Sequence, residues 1–217
     1  MTHNLWMIIL NGIVETIEMT VISTLLAYVV GLPYGVFLKI TGKDEILENK
    51  IVHTILAGIA NIMRSIPFLI LLVFLIPFTR LIVGTSIGTE ASIVPLTVGT
   101  IPIVARMVEQ SLNEIPKGII EAAQSMGASK FQIVIHFLIA EAMPSLLSGA
   151  AINMATVLGY SAMAGCIGGG GLGAIALNYG YYRYQTDVLL ITIVILILIV
   201  QIFQEGGNAL SKKIRHT

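Results

Sequence analysis

Ser161 has the surroundings of a reactive hydroxyl: Gly159-Tyr160-Ser161-Ala162 sets it between small residues inside an apolar run. Acyl transfer by such a serine needs a histidine within hydrogen-bond reach to take its proton. The four histidines, His3, His53, His136 and His216, fall in the N-terminus, polar loops or the C-terminal tail. Position 163 is methionine, so the G-x-S-x-G elbow is missed as well. Gly168 to Gly173 is rich in glycine, but no Lys-Ser/Thr pair follows to make a phosphate-binding loop. A lone cysteine, Cys166, and the lack of an HExxH string give no basis for a disulfide framework or a metal centre. The remaining chemistry is non-covalent. Met154, Tyr160 and Met163 stand out by size on a face of small residues that includes Ser161, where a flexible thioether such as that of Met163 can close a pathway and repack as it opens. Core filling is the plainer role for such a methionine.

The elements that position these groups are membrane spans. The 217 residues are 56% hydrophobic and only 11% charged, against roughly 25% charged in soluble domains. The apolar residues come in separate blocks, which implies several spans rather than one anchor. At about 20 helical residues per span, five are predicted near 14–38, 66–86, 91–110, 142–165 and 187–206. The third carries Pro95 and Pro102, tolerated where neighbouring helices satisfy the freed carbonyls. Residues 51–65 read as an interfacial lead-in, with Arg64-Ser-Ile-Pro67 at the point of entry. The fourth span is dense in Gly, Ala and Ser, which suits close packing at a bundle centre or dimer axis. Glu15 and Glu18, one turn apart, are expected at headgroup level near the outer end of the first span, or else lining a vestibule. The Gly168–Gly173 stretch is expected to be a flexible external connection. With no Lys or Arg before Lys39, the basic region of a signal peptide is missing, and the first apolar run is expected to stay in the mature protein. The whole is one domain, 1–217, with a membrane core at about 14–206 and a polar segment at 112–141.

Net charge is zero, which implies no nucleic-acid partner, so the placement of charge carries the information. Five spans put Lys39, Lys43, Lys50, Arg106, Lys117, Lys130, Lys212, Lys213 and Arg215 on one side and only Arg80 and Arg183 on the other. By the positive-inside rule the N-terminus is outside, and the C-terminus and the 112–141 segment are cytoplasmic.

Within that segment, Pro116 suits the first turn of a helix, and Ile115, Ile119, Ala122, Ala123 and Met126 recur at helical spacing. Gly127 is placed to end the helix in a left-handed cap. Ser129 and Gln132 then form a capping box for a second short helix, whose apolar face is Phe131, Val134, Ile135 and Leu138. Such a pair can rest on lipid or dock into a protein groove. The alanines at 122 and 123 and the mixed charges of Lys117, Glu121 and Lys130 favour the groove.

Glu121-Ala-Ala followed by three residues and Gly127 resembles the cytoplasmic coupling motif of bacterial ATP-binding-cassette importer permeases. The pattern's closing I-x-L-P reads Phe137, Ile139 and Ala140 here, so its proline is missing. Longer strings, RSIPF at 64–68, IVGTSIG at 82–88, IVPLTVG at 93–99, GYSAM at 159–163 and GGLG at 170–173, resemble the methionine-import branch. That resemblance implies an all-α integral membrane subunit of the type I importer fold in a bacterial inner membrane, paired with a second copy of itself. Two ATPase subunits would dock on Glu121, Ala122, Ala123 and Gly127, and would carry the ATP and Mg, with no cofactor on this chain. A periplasmic or lipid-anchored binding protein would deliver methionine, of L or D form, to a pore gated at Met163, Tyr160 and Ser161. A permease for another small amino acid is the near alternative. An intramembrane serine protease is the alternative of another class, because Gly159-Tyr-Ser-Ala162 is also similar to the rhomboid nucleophile string.

Overall fold

The computed structural model describes residues 3–215, and none of them lies in a strand. Ten α-helical stretches follow in order: α1 His3–Ile40, α2 Lys50–Ser65, α3 Phe68–Phe74, α4 Ile76–Val83, α5 Thr89–Asn113, α6 Lys117–Ser125, α7 Lys130–Gln132, α8 Ala140–Ala164, α9 Gly171–Ile175 and α10 Thr186–Arg215. A π-helical stretch, Ile133–Ile139, joins α7 to α8, and another, Ala176–Tyr181, follows α9. Four helical runs are long and apolar enough to cross a membrane, and a fifth crossing is possible through the bent α2–α3 pair.

The predicted third and fifth spans lie within α5 and α10. The first begins earlier than expected, because α1 runs from His3 through 38 residues. Its threonines suit this apolar setting. Thr16, Thr20 and Thr24 are buried, and each donates to the carbonyl four residues back at 2.7 Å, so no hydroxyl is left bare. Gly31 and Gly35 let α1 cross α5 at backbone range; a Cβ on either would meet Val104 or Val108 at 2.6–2.8 Å.

The second span departs most from expectation. Residues 66–86 are not one helix: α2 turns into α3 through 99° at Ile66-Pro67, and α3 and α4 are only seven and eight residues long. Proline holds the residue before it in an extended conformation, and Ile66 has φ −79° and ψ 122°, so the helix cannot pass straight through. The expected lead-in at 51–65 is helix α2, capped by the Asn49 side chain on the amides of Ile51 and Val52 at 3.1 Å. Arg106 of α5 braces it, donating to the Ala57 carbonyl at 3.1 Å and to Asn61 at 2.8 Å while paired with Glu109 at 2.7 Å.

The interior divides into three apolar clusters. The largest joins Val36 and Ile40 of α1, Val104, Val108 and Leu112 of α5, Ile120 and Ala123 of α6, Ile133 and Leu138 of the π-helical stretch, and Leu146 of α8. At this end the first loop lies beside α6, in a groove lined by Asp44, Glu45, Lys117, Glu121 and Gln124. The last turns of α10 arrive there too, with Ser211 Oγ donating to the Pro144 carbonyl at 2.7 Å. The first loop, the 112–141 segment and the C-terminal end of α10 thus share one end of the bundle.

Candidate functional site: the α6 knob and the open face of α8

The knob is built by local rules. Pro116, with ψ 131°, stands just outside α6 rather than in its first turn. Gly127 has φ +80°, and a Cβ there would meet nothing within 4 Å, so only backbone strain demands glycine at this turn. The capping box is formed in both directions: Gln132 N donates to Ser129 Oγ at 3.4 Å and Ser129 N to Gln132 Oε1 at 2.8 Å.

The faces differ in detail from the sequence reading. In α6 the inward residues are Ile120 and Ala123, while Ala122 is exposed and Met126 is 72% exposed. In the second helix Ile133 and Leu138 are buried, whereas Phe131 and Ile135 face outward. The π-helical winding explains this. Its i→i+5 hydrogen bonds lengthen the turn, so residues five apart, Ile133 and Leu138, fall on one side. The second short helix is also not separate, since it runs on through Ala140 into α8 as a single helical run, Lys130–Ile167. Where the motif's proline is replaced by Ala140, the helix continues. Met126, Gly127, Ala128, Gln132, His136 and Phe137 line a shallow cleft between the two arms. Glu121 stands exposed beside it on α6, so Glu121, Ala122 and Gly127 are at the surface and Ala123 packs underneath.

The α8 face divides the three pore candidates. Met163 is 46% exposed and Ile152 60% exposed; together with half-buried Thr156 and exposed Gly159 they form an open stripe at helical spacing. Tyr160 is half-buried and stacks flat on Phe68, with ring centroids 4.2 Å apart. Ser161 departs from the expectation. It is 1% exposed and donates to the Leu158 carbonyl at 2.8 Å, so it faces the protomer interior rather than the open stripe. The histidines give it no base. His53 Nδ1 lies 3.0 Å from the Leu38 carbonyl and His136 lines the knob's cleft, both at the other end of the bundle. His216 and the side chain of His3 lie outside the described residues.

Three functional-looking contacts escaped sequence reading. Asn153, buried amid small residues, donates to the Tyr28 hydroxyl at 3.1 Å. Its amide in an apolar span was the only signal. Glu15 is not at the end of its helix but well inside α1, where its carboxyl accepts from Gly171 N at 2.6 Å. Next to it Thr16 Oγ1 accepts from Leu172 N at 2.8 Å. The glycine stretch that these residues hold is therefore a packed turn and not a loose connection. Gly169 N donates to the Ala164 carbonyl and Gly88 N to the Gly168 carbonyl, both at 2.9 Å.

A family model described as "binding-protein-dependent transport system inner membrane component" matches residues 31–216. The probable D-methionine transport system permease protein MetI of Haemophilus influenzae is 48% identical over 98% of this chain and 100% of its own length. The D-methionine transport system permease protein MetI of Escherichia coli K12 is 52% identical over 74% of each chain. Among solved structures, a chain of the inward-facing MetNI methionine ABC transporter superposes with a TM-score of 0.97 at 46% identity, covering 99% of both chains. An amino acid ABC transporter solved with histidines shares the fold alone, with a TM-score of 0.79 at 18% identity. The chain belongs to the inner-membrane components of binding-protein-dependent transport systems.

Proposed function

We propose that this chain is the membrane-spanning permease subunit of an ATP-driven methionine importer, working as a pair of identical copies with two ATPase subunits and an external methionine-binding protein. The observation that carries the reading is near-full-length identity of 46–48% to proteins whose names specify methionine transport. The chain itself performs no covalent step; ATP and Mg belong to the partner ATPase. The positive-inside rule supports an orientation with the N-terminus outside and the knob and C-terminus in the cytoplasm.

The knob is suited to receive force because it is not compliant. Ile120 and Ala123 are seated in the same apolar cluster as α1, α5 and α8, so a push on the outer surface of α6 moves the bundle rather than the segment alone. Exposed Met126 and Phe131, 72% and 74% accessible, supply the apolar contacts that a groove in the ATPase would cover, with Glu121 and Ala122 beside them. On α8 the open stripe at Ile152, Gly159 and Met163 faces the second copy across the pathway, and Met163, with Tyr160 behind it, is the gate.

The test is ATP-dependent uptake of labelled methionine by vesicles holding this chain, its ATPase and its binding protein, with Gly127→Val as the uncoupled control. Methionine uptake that Gly127→Val abolishes, at equal membrane abundance, is the expected result. An assembled, ATP-hydrolysing complex that takes up other amino acids but no methionine overturns the substrate.

A further inference from the structure

The 99° turn from α2 to α3 opens a gap that a straight helix would fill. The gap is a pocket of about 200 Å³, floored by Gly99 and Ile103 of α5 and walled by Met63, Phe68, Leu71 and Tyr160. Arg64 stands at its rim, where the bend leaves its side chain exposed. Gly99 fixes the shape: a Cβ there would press on the Phe68 ring at 3.2 Å and on Leu71 at 3.3 Å, so glycine lets the stacked Phe68–Tyr160 pair lie against α5.

The polar groups around this pocket are few, and they are unused. Among the described residues neither the Arg64 guanidinium nor the Tyr160 hydroxyl has a hydrogen-bond partner, whereas Arg106, the neighbouring arginine on α5, is engaged three times over. The C-terminal end of the 16-residue α2 brings its last carbonyls, of which Met63's accepts from Ile66 N at 3.4 Å, and the negative end of its dipole to the same bend. A cavity walled by apolar side chains with a few convergent polar groups is the usual form of a small-molecule site, and here the open lining is more polar than apolar, which suits a zwitterion better than a hydrocarbon. This one lies below the roughly 300 Å³ at which drug-sized pockets begin, so a ligand of single amino-acid size fits and a peptide does not.

We infer that this pocket is a methionine-contact site within the permease, an inference that rests on the transport reading above. The guanidinium of Arg64 takes the carboxylate, the carbonyl end of α2 takes the ammonium, and the thioether lies against the Phe68–Tyr160 stack. Sulfur at an aromatic edge is a favourable contact, and it distinguishes methionine from an aliphatic side chain of similar length. Tyr160 stands one turn before Met163 on α8, which puts the pocket next to the open stripe. Substrate would pause there between the binding protein and the far side.

The experiment uses the whole complex in vesicles with its binding protein. Labelled methionine uptake is measured for the unaltered chain, Arg64→Met, Arg64→Lys and Tyr160→Phe, each checked for co-purification with the ATPase. In parallel, a diazirine analogue of methionine is photo-activated during turnover and its attachment points are mapped. Arg64→Met is expected to lower uptake at sub-saturating methionine by about tenfold, the usual scale for a lost charge-assisted hydrogen bond. Arg64→Lys should lose less, Tyr160→Phe, which keeps the stacked ring, should lose little, and the label should fall on residues 63–71, 99–103 or 160. Unchanged uptake by Arg64→Met, or label confined to other segments, overturns the pocket and leaves the transport reading standing. So does an anionic phospholipid that mass spectrometry finds bound to the unaltered complex and absent from Arg64→Met while uptake is unchanged. Failure of the unaltered complex to import methionine overturns both.

Discussion

Gly127 is the residue whose requirement is most sharply defined. Its φ of +80° lies in the left-handed region, and the space around it is open. A β-branched residue there costs about 1–2 kcal/mol in backbone strain, whereas asparagine visits this region more readily. Gly127→Asn should therefore retain most uptake where Gly127→Val loses it; equal loss in both would mean that the side chain, not the backbone, is at fault. Glu15 is the counterpart at the other end. Glu15→Ala leaves the Gly171 amide without its partner, a loss of about 2 kcal/mol, while Glu15→Gln keeps an acceptor. Thermal unfolding of the detergent-solubilised protein should fall clearly for the first variant and little for the second. The two sites also mark what could be read in advance. The Gly127 cap and the Ser129–Gln132 box were legible because each obeys a rule spanning a few residues. Glu15–Gly171, Asn153–Tyr28 and Arg106–Ala57 were not, because their partners lie 156, 125 and 49 positions apart and no local periodicity marks them.

Among the elements, long apolar runs gave α1, α5, α8 and α10 because hydrophobic length is a one-dimensional quantity that bilayer thickness selects. The bend at Ile66-Pro67 and the π-helical stretch Ile133–Ile139 were not recoverable in the same way. A proline marks where a helix is disturbed but not by what angle. A π turn changes which residues share a face without changing the residues, so Phe131 and Ile135, expected on one apolar face with Leu138, lie outward while Leu138 is buried. The brace that holds α2 gives this scale its prediction. Arg106→Met removes the bonds to Ala57 and Asn61 and leaves Glu109 unpaired. Amide hydrogen exchange over residues 50–65 should speed up by at least tenfold while α5 stays protected. Unchanged exchange would mean that apolar packing alone holds α2 in place.

At the scale of the whole molecule, the three polar segments assigned to one side by charge counting do meet at one end of the bundle, around Lys117, Glu121, Ser211 and the first loop. The positive-inside pattern thus had a three-dimensional counterpart before any membrane was considered. The bent second span has its own bearing on that membrane. Phe68 to Val83, helical but for Leu75, reach about 24 Å at about 1.5 Å per residue, against a hydrocarbon thickness of about 30 Å. Phe68 packs on Gly99 midway along α5, so the crossing takes in the C-terminal part of α2 as well. Phe74 and Leu81, 75% and 83% exposed, are the most open apolar side chains of α3 and α4. A crossing built from α2, α3 and α4 with a 99° turn in it is a jointed one, so a change in bilayer thickness is met by the angle at Ile66-Pro67 rather than by the tilt of one straight helix. Uptake in vesicles of short-, medium- and long-chain phosphatidylcholine should therefore vary with chain length, so that the lipid acts as a setting of the transporter's working state; equal uptake in all three would mean that the joint is rigid.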